Sequence, residues 1–479
     1  MRRYFITIIM ICYLIPAIAK NFTTSGDGKV YTFSSLADID GTNLHKNPNT
    51  GTFFLDDSLT IADGDRLILD DDIKELILVN AGSRLIIEGE VDFKSAQGLT
   101  ITFDDLADNH AGDYLPPCTE IIISNGARMT PFKNIIFRYV GIEAAGASSL
   151  EIEQCEFHEY NGKNSGTIYM TNSSGTLTVR DCLFADNYCP AIANTYGSKN
   201  KTLIEACRIY RNALNNKNTP QINLVASESI VIRKCDIKGE PTLTMVGGIG
   251  IANWTGEEGA NVVFEDNNIK DCRYGVTTMG PCNVTISGNT LADNNHELNA
   301  NNGGSGISIY DPYYKTSARI YGNNVIGNLW GITIIGGGDI CLGRTEVNGN
   351  VLNETDDLYC FGGNIFKDNG NNGMTYDLYN NGTSTIYAQN NQWGVDEQTA
   401  EKIESVITHK ADDSSLGEVI YMPAMTVNGI NMLDNNTKDL PDCIYDLNGV
   451  RLNARQGNCI SKGLYIIRKN GKSRCCVIK

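Results

Sequence analysis

Leu150-Glu-Ile-Glu-Gln-Cys155-Glu-Phe157 and Leu177-Thr-Val-Arg-Asp-Cys182-Leu-Phe184 are two copies of one pattern. Apolar residues alternate with polar ones, then Cys or Asn follows, then one more apolar residue two places on. The pattern returns as Thr202-Leu-Ile-Glu-Ala-Cys207-Arg-Ile209 and Ile230-Val-Ile-Arg-Lys-Cys235-Asp-Ile237. Further copies run over Val262 to Ile269, Val284 to Leu291, Ala318 to Val325, Tyr359 to Phe366 and Ile386 to Trp393. One column thus reads Cys155, Cys182, Cys207, Cys235, Asn267, Asn289, Asn323, Asn364, Asn391. Its intervals fall between 22 and 34 residues, with one of 41 where a loop is inserted.

Five residues further on stands a second polar column: Asn187, Asn212, Asn294, Asn328 and Asn369. A short strand follows it, often opened by Gly, as in Gly248-Ile-Gly-Ile, Gly275-Val-Thr-Thr-Met, Gly306-Ile-Ser-Ile and Gly373-Met-Thr-Tyr. Period-two alternation in pieces this short, broken by Gly and Asn, means strands and tight turns. Such a unit cannot bury its own apolar face, but units coiled on one another can. Successive rungs are then about 4.8 Å apart, and like residues stack. Stacked Asn side chains bond along the axis and satisfy turn backbone that burial would orphan. The nine-member column serves as a structural ladder. This arrangement resembles the right-handed parallel β-helix repeat family and its pectin-lyase-like relatives, clearly so over Ile135 to Trp393. The fold class is therefore all-β: a right-handed parallel β-helix solenoid with a short helical cap and a small C-terminal β unit. An antiparallel sandwich leaves nine residues in fixed register unexplained.

The chain has 479 residues, with 39 Lys+Arg against 56 Asp+Glu, a net charge of −17. That balance lacks the basic footprint that nucleic acid or an anionic membrane needs. Arg2 and Arg3, the apolar run Tyr4 to Ile15 and Ala17-Ile18-Ala19 form a secretory signal peptide, residues 1–19. No later stretch is long and apolar enough to be a transmembrane span. Residues 20–134 are an N-terminal cap with opening rungs, 135–394 the regular coil, 395–424 a C-terminal cap and 425–479 a tail. In the cap, Asn390-Asn-Gln-Trp-Gly394 precedes Ile403, Val406 and Ile407 on one helical face, which can close the open end. The tail, with Tyr445-Asp-Leu-Asn-Gly449, Gly463-Leu-Tyr-Ile-Ile467 and Val477-Ile-Lys479, resembles the C-terminal sorting domain of type IX secretion. That resemblance implies export machinery as a partner and a secreted or outer-surface location in a Gram-negative bacterium. The copy here is short and carries Cys475-Cys476.

Two residues before the Cys/Asn column, Glu153, Arg180, Glu205, Arg233 and Glu265 should face solvent as a ladder of opposite charges. Arg180 or Arg233 could instead serve as a base, since lyases of the resembled fold use a basic residue. The Gly-opened strand is the face such enzymes use. Its expected outward residues include Tyr169, Gly250, Ala252, Thr277, Thr333, Thr375 and Asp377, with one carboxylate and no cation. Calcium needs converging oxygen ligands and glycoside hydrolysis needs paired carboxylates; neither is visible there, and no metal or cofactor is expected. Candidate substrate-binding residues are Trp254 with Glu257 and Glu258, and Tyr310, Asp311, Tyr313 and Tyr314. Rings beside carboxylates suit polysaccharide, because a ring packs on a pyranose face while acids bond hydroxyls. They equally suit aromatic covers over rung ends. Asp70-Asp71-Asp72 and Asp104-Asp105 read as charged turns, and His296 beside Glu297 as a solvated loop. Cys182 with Cys189, and Cys272 with Cys282, are the disulfide candidates in an oxidising compartment. The expected function is secreted or surface polysaccharide binding or processing. A non-catalytic surface scaffold or adhesin is the alternative.

Overall fold

A computed structural model describes residues 21–425 apart from 81, 105–117, 163, 226–227 and 255–258, together with four strands between 443 and 478. The signal segment, Glu257 and Glu258 lie outside the described residues. Residues up to Ala424 form one compact unit and those from Met425 another. In the second, Arg451–Leu452, Cys443–Tyr445, Gly463–Lys469 and Lys472–Ile478 make an antiparallel sheet in that order.

The first unit is a right-handed parallel β-helix. Each rung supplies three strands. Sheet 1 contains Leu150–Glu153, Thr176–Arg180, Lys201–Glu205 and their successors. Sheet 2 contains Glu156–His158, Leu183–Ala185 and Arg208–Tyr210. Sheet 3 contains Ile168–Thr171, Ile192–Asn194, Pro220–Val225 and Gly247–Ala252. All these pairs are parallel, one rung to the next, as a coil requires and a sandwich forbids. Inward residues stack by type. Phe137, Phe157 and Phe184 are stacked, with ring centroids 4.5 and 4.8 Å apart and planes nearly parallel. The same sheet 2 column ends with Phe366 stacked on Trp393 at 4.9 Å, so Trp393 closes the coil. At the other end Phe33, on the helix Phe33–Ala37, packs on Phe53 and Phe93.

The corners explain the polar columns. The residue before each first-column member takes a left-handed backbone, as at Gln154, Asp181, Ala206, Lys234 and Asp266. So does the one before the second column, as at Asp186, Arg211, Asp271, Asp293 and Asp368. That conformation costs a non-Gly residue about 1–2 kcal/mol, and the column residue offsets it with buried hydrogen bonds. Asn267 donates Nδ2 to Asn289 Oδ1 at 2.9 Å, Asn289 to Asn323 at 3.0 Å, Asn323 to Asn364 at 2.9 Å and Asn364 to Asn391 at 2.9 Å. Upstream of Asn267, Cys155, Cys182, Cys207 and Cys235 fill the same column as buried thiols. The second column runs from Asn187 to Asn212 and from Asn294 through Asn328 to Asn369. Gln221 and Cys272 bridge its gap.

Three expectations need correcting. Residues 359–363 of the copy at Tyr359 to Phe366 are not a rung strand, although Ile365–Lys367 joins sheet 2: sheet 1 takes Ser317–Arg319 against Asp339–Cys341 there, and Phe361 is exposed. The residues after 343 leave the wall and return at Asn364, which keeps its place in the column. Gly373-Met-Thr-Tyr is likewise outside the wall, in a hairpin pairing Gly370–Asn371 with Met374–Thr375. Leu378–Asn381 supplies the sheet 3 strand, so Asp377 is inward and fully buried. Lastly, Cys182, Cys189, Cys272 and Cys282 are all free thiols. Cys182 sits at the first corner and Cys189 beyond the second, with a sheet 2 strand between them. Cys272 belongs to the second amide column, while Cys282 stands before the sheet 1 strand Asn283–Ser287.

Candidate functional site

On sheet 1 the outward charges pair as a ladder. Arg180 lies 3.7 Å from Glu153 and 3.4 Å from Glu205, and Arg233 lies 2.7 Å from Glu205. Arg180 also lies 3.1 Å from Glu151, so three carboxylates surround its guanidinium, while Arg233 pairs with Glu205. Asp70 accepts from the backbone of Ser34, and Asp72 pairs with Lys46. His296 Nε2 lies 3.6 Å from Asp271 Oδ1.

Sheet 3 carries an outward row in strict register: Glu143, Tyr169, Ala193, Asn223, Gly250, Thr277, Ser308, Thr333 and Tyr379. With Asp377 inward, the row's one carboxylate is Glu143, which accepts from Asn164 Nδ2 at 3.0 Å. Much of the row is covered, contrary to expectation. Ala193, Thr277 and Thr333 are buried. A Cβ on Gly250 of this row would lie 2.9 Å from Pro220 Cγ and 3.6 Å from the Tyr274 hydroxyl. The absent side chain at Gly250 is what lets Pro220 and Tyr274 approach the row.

The trailing edge of sheet 3, where the chain turns toward sheet 1, is open. Ala252, Met279, Tyr310 and Ile335 are successive partners there. Tyr310 is 41% exposed, Tyr313 53%, Tyr314 45%, and Trp254, two residues beyond Ala252, 57%. Residues 312–315 bulge from this corner: Asp311 pairs with Gly336 and Thr316 with Gly338, so four residues stand against one. Asp311 itself is fully buried, not available to a sugar hydroxyl. Its carboxylate accepts from the N–H of Tyr313 at 2.9 Å, Lys315 at 2.8 Å and Thr316 at 2.7 Å, and from Thr316 Oγ1 at 2.8 Å. It holds the bulge that presents the two tyrosines. Trp254 and the tyrosine loop thus share one edge two rungs apart, about 10 Å by strand spacing.

A second aromatic group lies on the leading edge. Trp330 meets Tyr376 at 4.6 Å and Tyr379 at 5.7 Å, and donates Nε1–H to Ala300 O at 2.8 Å. Sequence reading missed it, although Tyr379 becomes an outward residue once Leu378 is aligned with Ile332. Near the cap, Glu404, His409 and Asp412 gather three possible metal ligands. Each already has a protein partner: His409 Nδ1 accepts from Val419 N, its Nε2 meets Glu404 Oε1 at 2.9 Å, and Asp412 accepts from His409 N. The group ties the cap helix Ala400–Glu404 to the last rung.

A family model for the right-handed β-helix region matches residues 119–291. The fold is the right-handed parallel β-helix. A double mutant of the periplasmic alginate epimerase AlgG is 12% identical over 84% of this chain and 85% of that one, with a TM-score of 0.48. The epimerase without substitutions is 11% identical over 82% and 83%, with a TM-score of 0.40. At such values the likeness says nothing of chemistry. No curated protein matches the chain. Among the described residues no helix is long and apolar enough to cross a membrane.

Proposed function

We propose that the chain is an exported β-helix protein that binds polysaccharide along the trailing edge of sheet 3. The observation carrying this reading is the line of exposed rings, Trp254, Tyr310, Tyr313 and Tyr314, on one edge of a stiff wall. Aromatic faces on a rigid support offer large contact area to pyranose faces at little entropic cost. Along the outward row from Glu143 to Tyr379 the single carboxylate, Glu143, supports binding without cleavage there, since hydrolysis needs a pair and elimination needs a base beside a charge stabiliser. The leader and the sorting-domain-like tail support passage to the outer surface of a Gram-negative cell through the export machinery. Deleting residues 425–479 should then retain the protein inside the cell envelope.

Native-gel retardation on a panel of neutral and uronate polysaccharides, with absorbance followed for unsaturated products, tests the reading. At least one polymer should slow the wild type, the Tyr313→Ala/Tyr314→Ala variant should run freely, and no unsaturated product should form. A second reading, a non-catalytic scaffold or adhesin, is favoured by the covered outward row of sheet 3. Absence of retardation on every polymer would favour it and end the first.

A further inference from the structure

The interval of 41 residues between Asn323 and Asn364 holds the excursion that begins after Gly343. The strand leading into it places Cys341 in an outward row of sheet 1, paired with Arg319 on one rung and Tyr387 on the next. Its partners are partly exposed, yet Cys341 is buried, because the excursion folds back across it. The return limb brings Cys360 into an antiparallel bridge with Arg344. The guanidinium of Arg344 stacks 3.5 Å from the Tyr387 ring centre, fixing the root of the excursion to the wall. Cys360 Sγ donates to the Cys341 carbonyl at 3.7 Å, so the two cysteines are in direct contact.

We propose that Cys341 and Cys360 form a thiol–disulfide exchange site whose closure locks this excursion onto sheet 1. The reagent is a disulfide-bearing oxidant. The Cys360 thiolate attacks one sulfur of that disulfide, its proton going to solvent, and one thiolate leaves. Cys341, giving up its proton to the departing thiolate, then attacks Cys360 Sγ, forming the Cys341–Cys360 bond and expelling the second sulfur as a thiol. The two cysteines are oxidised by two electrons and the donor disulfide is reduced to two thiols, so the exchange balances. The stacked thiols of Cys182, Cys207 and Cys235 project the same way from adjacent rungs, a poor geometry for a disulfide. Cys341 and Cys360 approach from a wall and its cover. Cys360 is also the better nucleophile: the bond from Cys341, then the Gly362 N–H and the Arg319 and Arg344 charges, hold its thiol below the usual range against the opposing effect of burial. Between wall and cover lies a cavity of about 260 Å³ lined by Arg319, Tyr321, Tyr359, Cys360 and Phe361. The lock would fix three of those five residues.

The test is to reduce the full chain, remove reductant, add oxidised glutathione, block remaining thiols with N-ethylmaleimide and map peptides by mass. The result expected is a linked pair containing Cys341 and Cys360, two hydrogens lighter than its parts. Cleavage by a Glu-specific protease at Glu346 and Glu354 should slow several-fold on oxidation. Cys360→Ser should abolish both effects and Cys182→Ser neither. The linked peptide is read on the wild type, so a misfolded variant does not obscure the outcome. Full alkylation of both thiols after oxidation, or a lasting glutathione adduct on Cys360 without the link, overturns the proposal.

Discussion

Asn369 donates its side-chain amide to Asp377 Oδ1 at 3.1 Å, and on that bond the second polar column ends. Asn187 and Asn212, like Asn294 and Asn328, donate toward the C-terminal rung, so the donor ends point one way. A carboxylate is the fitting terminus, because it accepts without needing to donate. Its other oxygen takes the Gly394 N–H at 2.7 Å, joining the last rungs to the cap.

Asp377→Asn keeps the shape but turns a second donor toward either Gly394 N–H or Asn369. One buried bond is lost and one donor orphaned, a cost of about 1–3 kcal/mol. Urea unfolding should show a lower midpoint with an unchanged slope.

Burial raises the Asp377 carboxyl from its ordinary 3.8 to about 6, against the lowering effect of the bonds from Gly394 and Asn369. The folded chain therefore binds this proton more tightly than the unfolded one. The resulting stability is fully present below pH 4 and lost as pH rises through 6, by about 3 kcal/mol in all. The stability of the wild type minus that of Asp377→Asn should fall over this window, in unfolding curves taken at pH 4, 5, 6 and 7.

Asn323 donates to Ile286 O, Tyr321 O and Asn364 Oδ1, and accepts from both the backbone and the side chain of Asn289. Asn323→Ala should cost roughly 3 kcal/mol or more by leaving several buried groups unpaired. Cys207→Ala removes a small apolar group and should cost about 1 kcal/mol. Parallel thermal melts of the two variants give the comparison.

Most of the coil could be read from the sequence, and the reason is physical: stacking turns a 22- to 34-residue interval into direct contact. Cys182 and Cys207, 25 positions apart, prove to occupy the same corner on adjacent rungs. The reading failed where register depends on residues outside the repeat. Tyr359 imitates a rung strand, but the wall had already taken Cys341, and only pairing partners reveal that choice. Asp377 looked outward because Gly373 resembles the usual strand opener. Asp311 looked like a sugar ligand, since a Tyr-Asp-Pro-Tyr string does not show that its carboxylate is used up by the next five residues. Trp330 could not be recognised as a surface residue until Tyr379 was placed.

Arg180 touches Glu151, Glu153 and Glu205 at a partly exposed site. Arg180→Ala should cost no more than about 1 kcal/mol, shrinking further in high salt. Polysaccharide retardation should be unchanged, whereas a catalytic or binding arginine would alter it.

Asp311→Ala should weaken polysaccharide binding severalfold although the carboxylate is buried. Its four hydrogen bonds set the 312–315 bulge, and without them Tyr313 and Tyr314 lose their fixed presentation. Protease susceptibility of the bulge, measured beside binding, should rise in step.

The most direct measurement is Trp254 fluorescence in a Trp330→Phe/Trp393→Phe background, titrated with the retarding polymer. A sugar face laid on that indole should shift its emission to the blue, shield it from acrylamide and saturate at the concentration that retards the protein. Saturable retardation with Trp254 still fully open to the quencher would contradict binding along this edge.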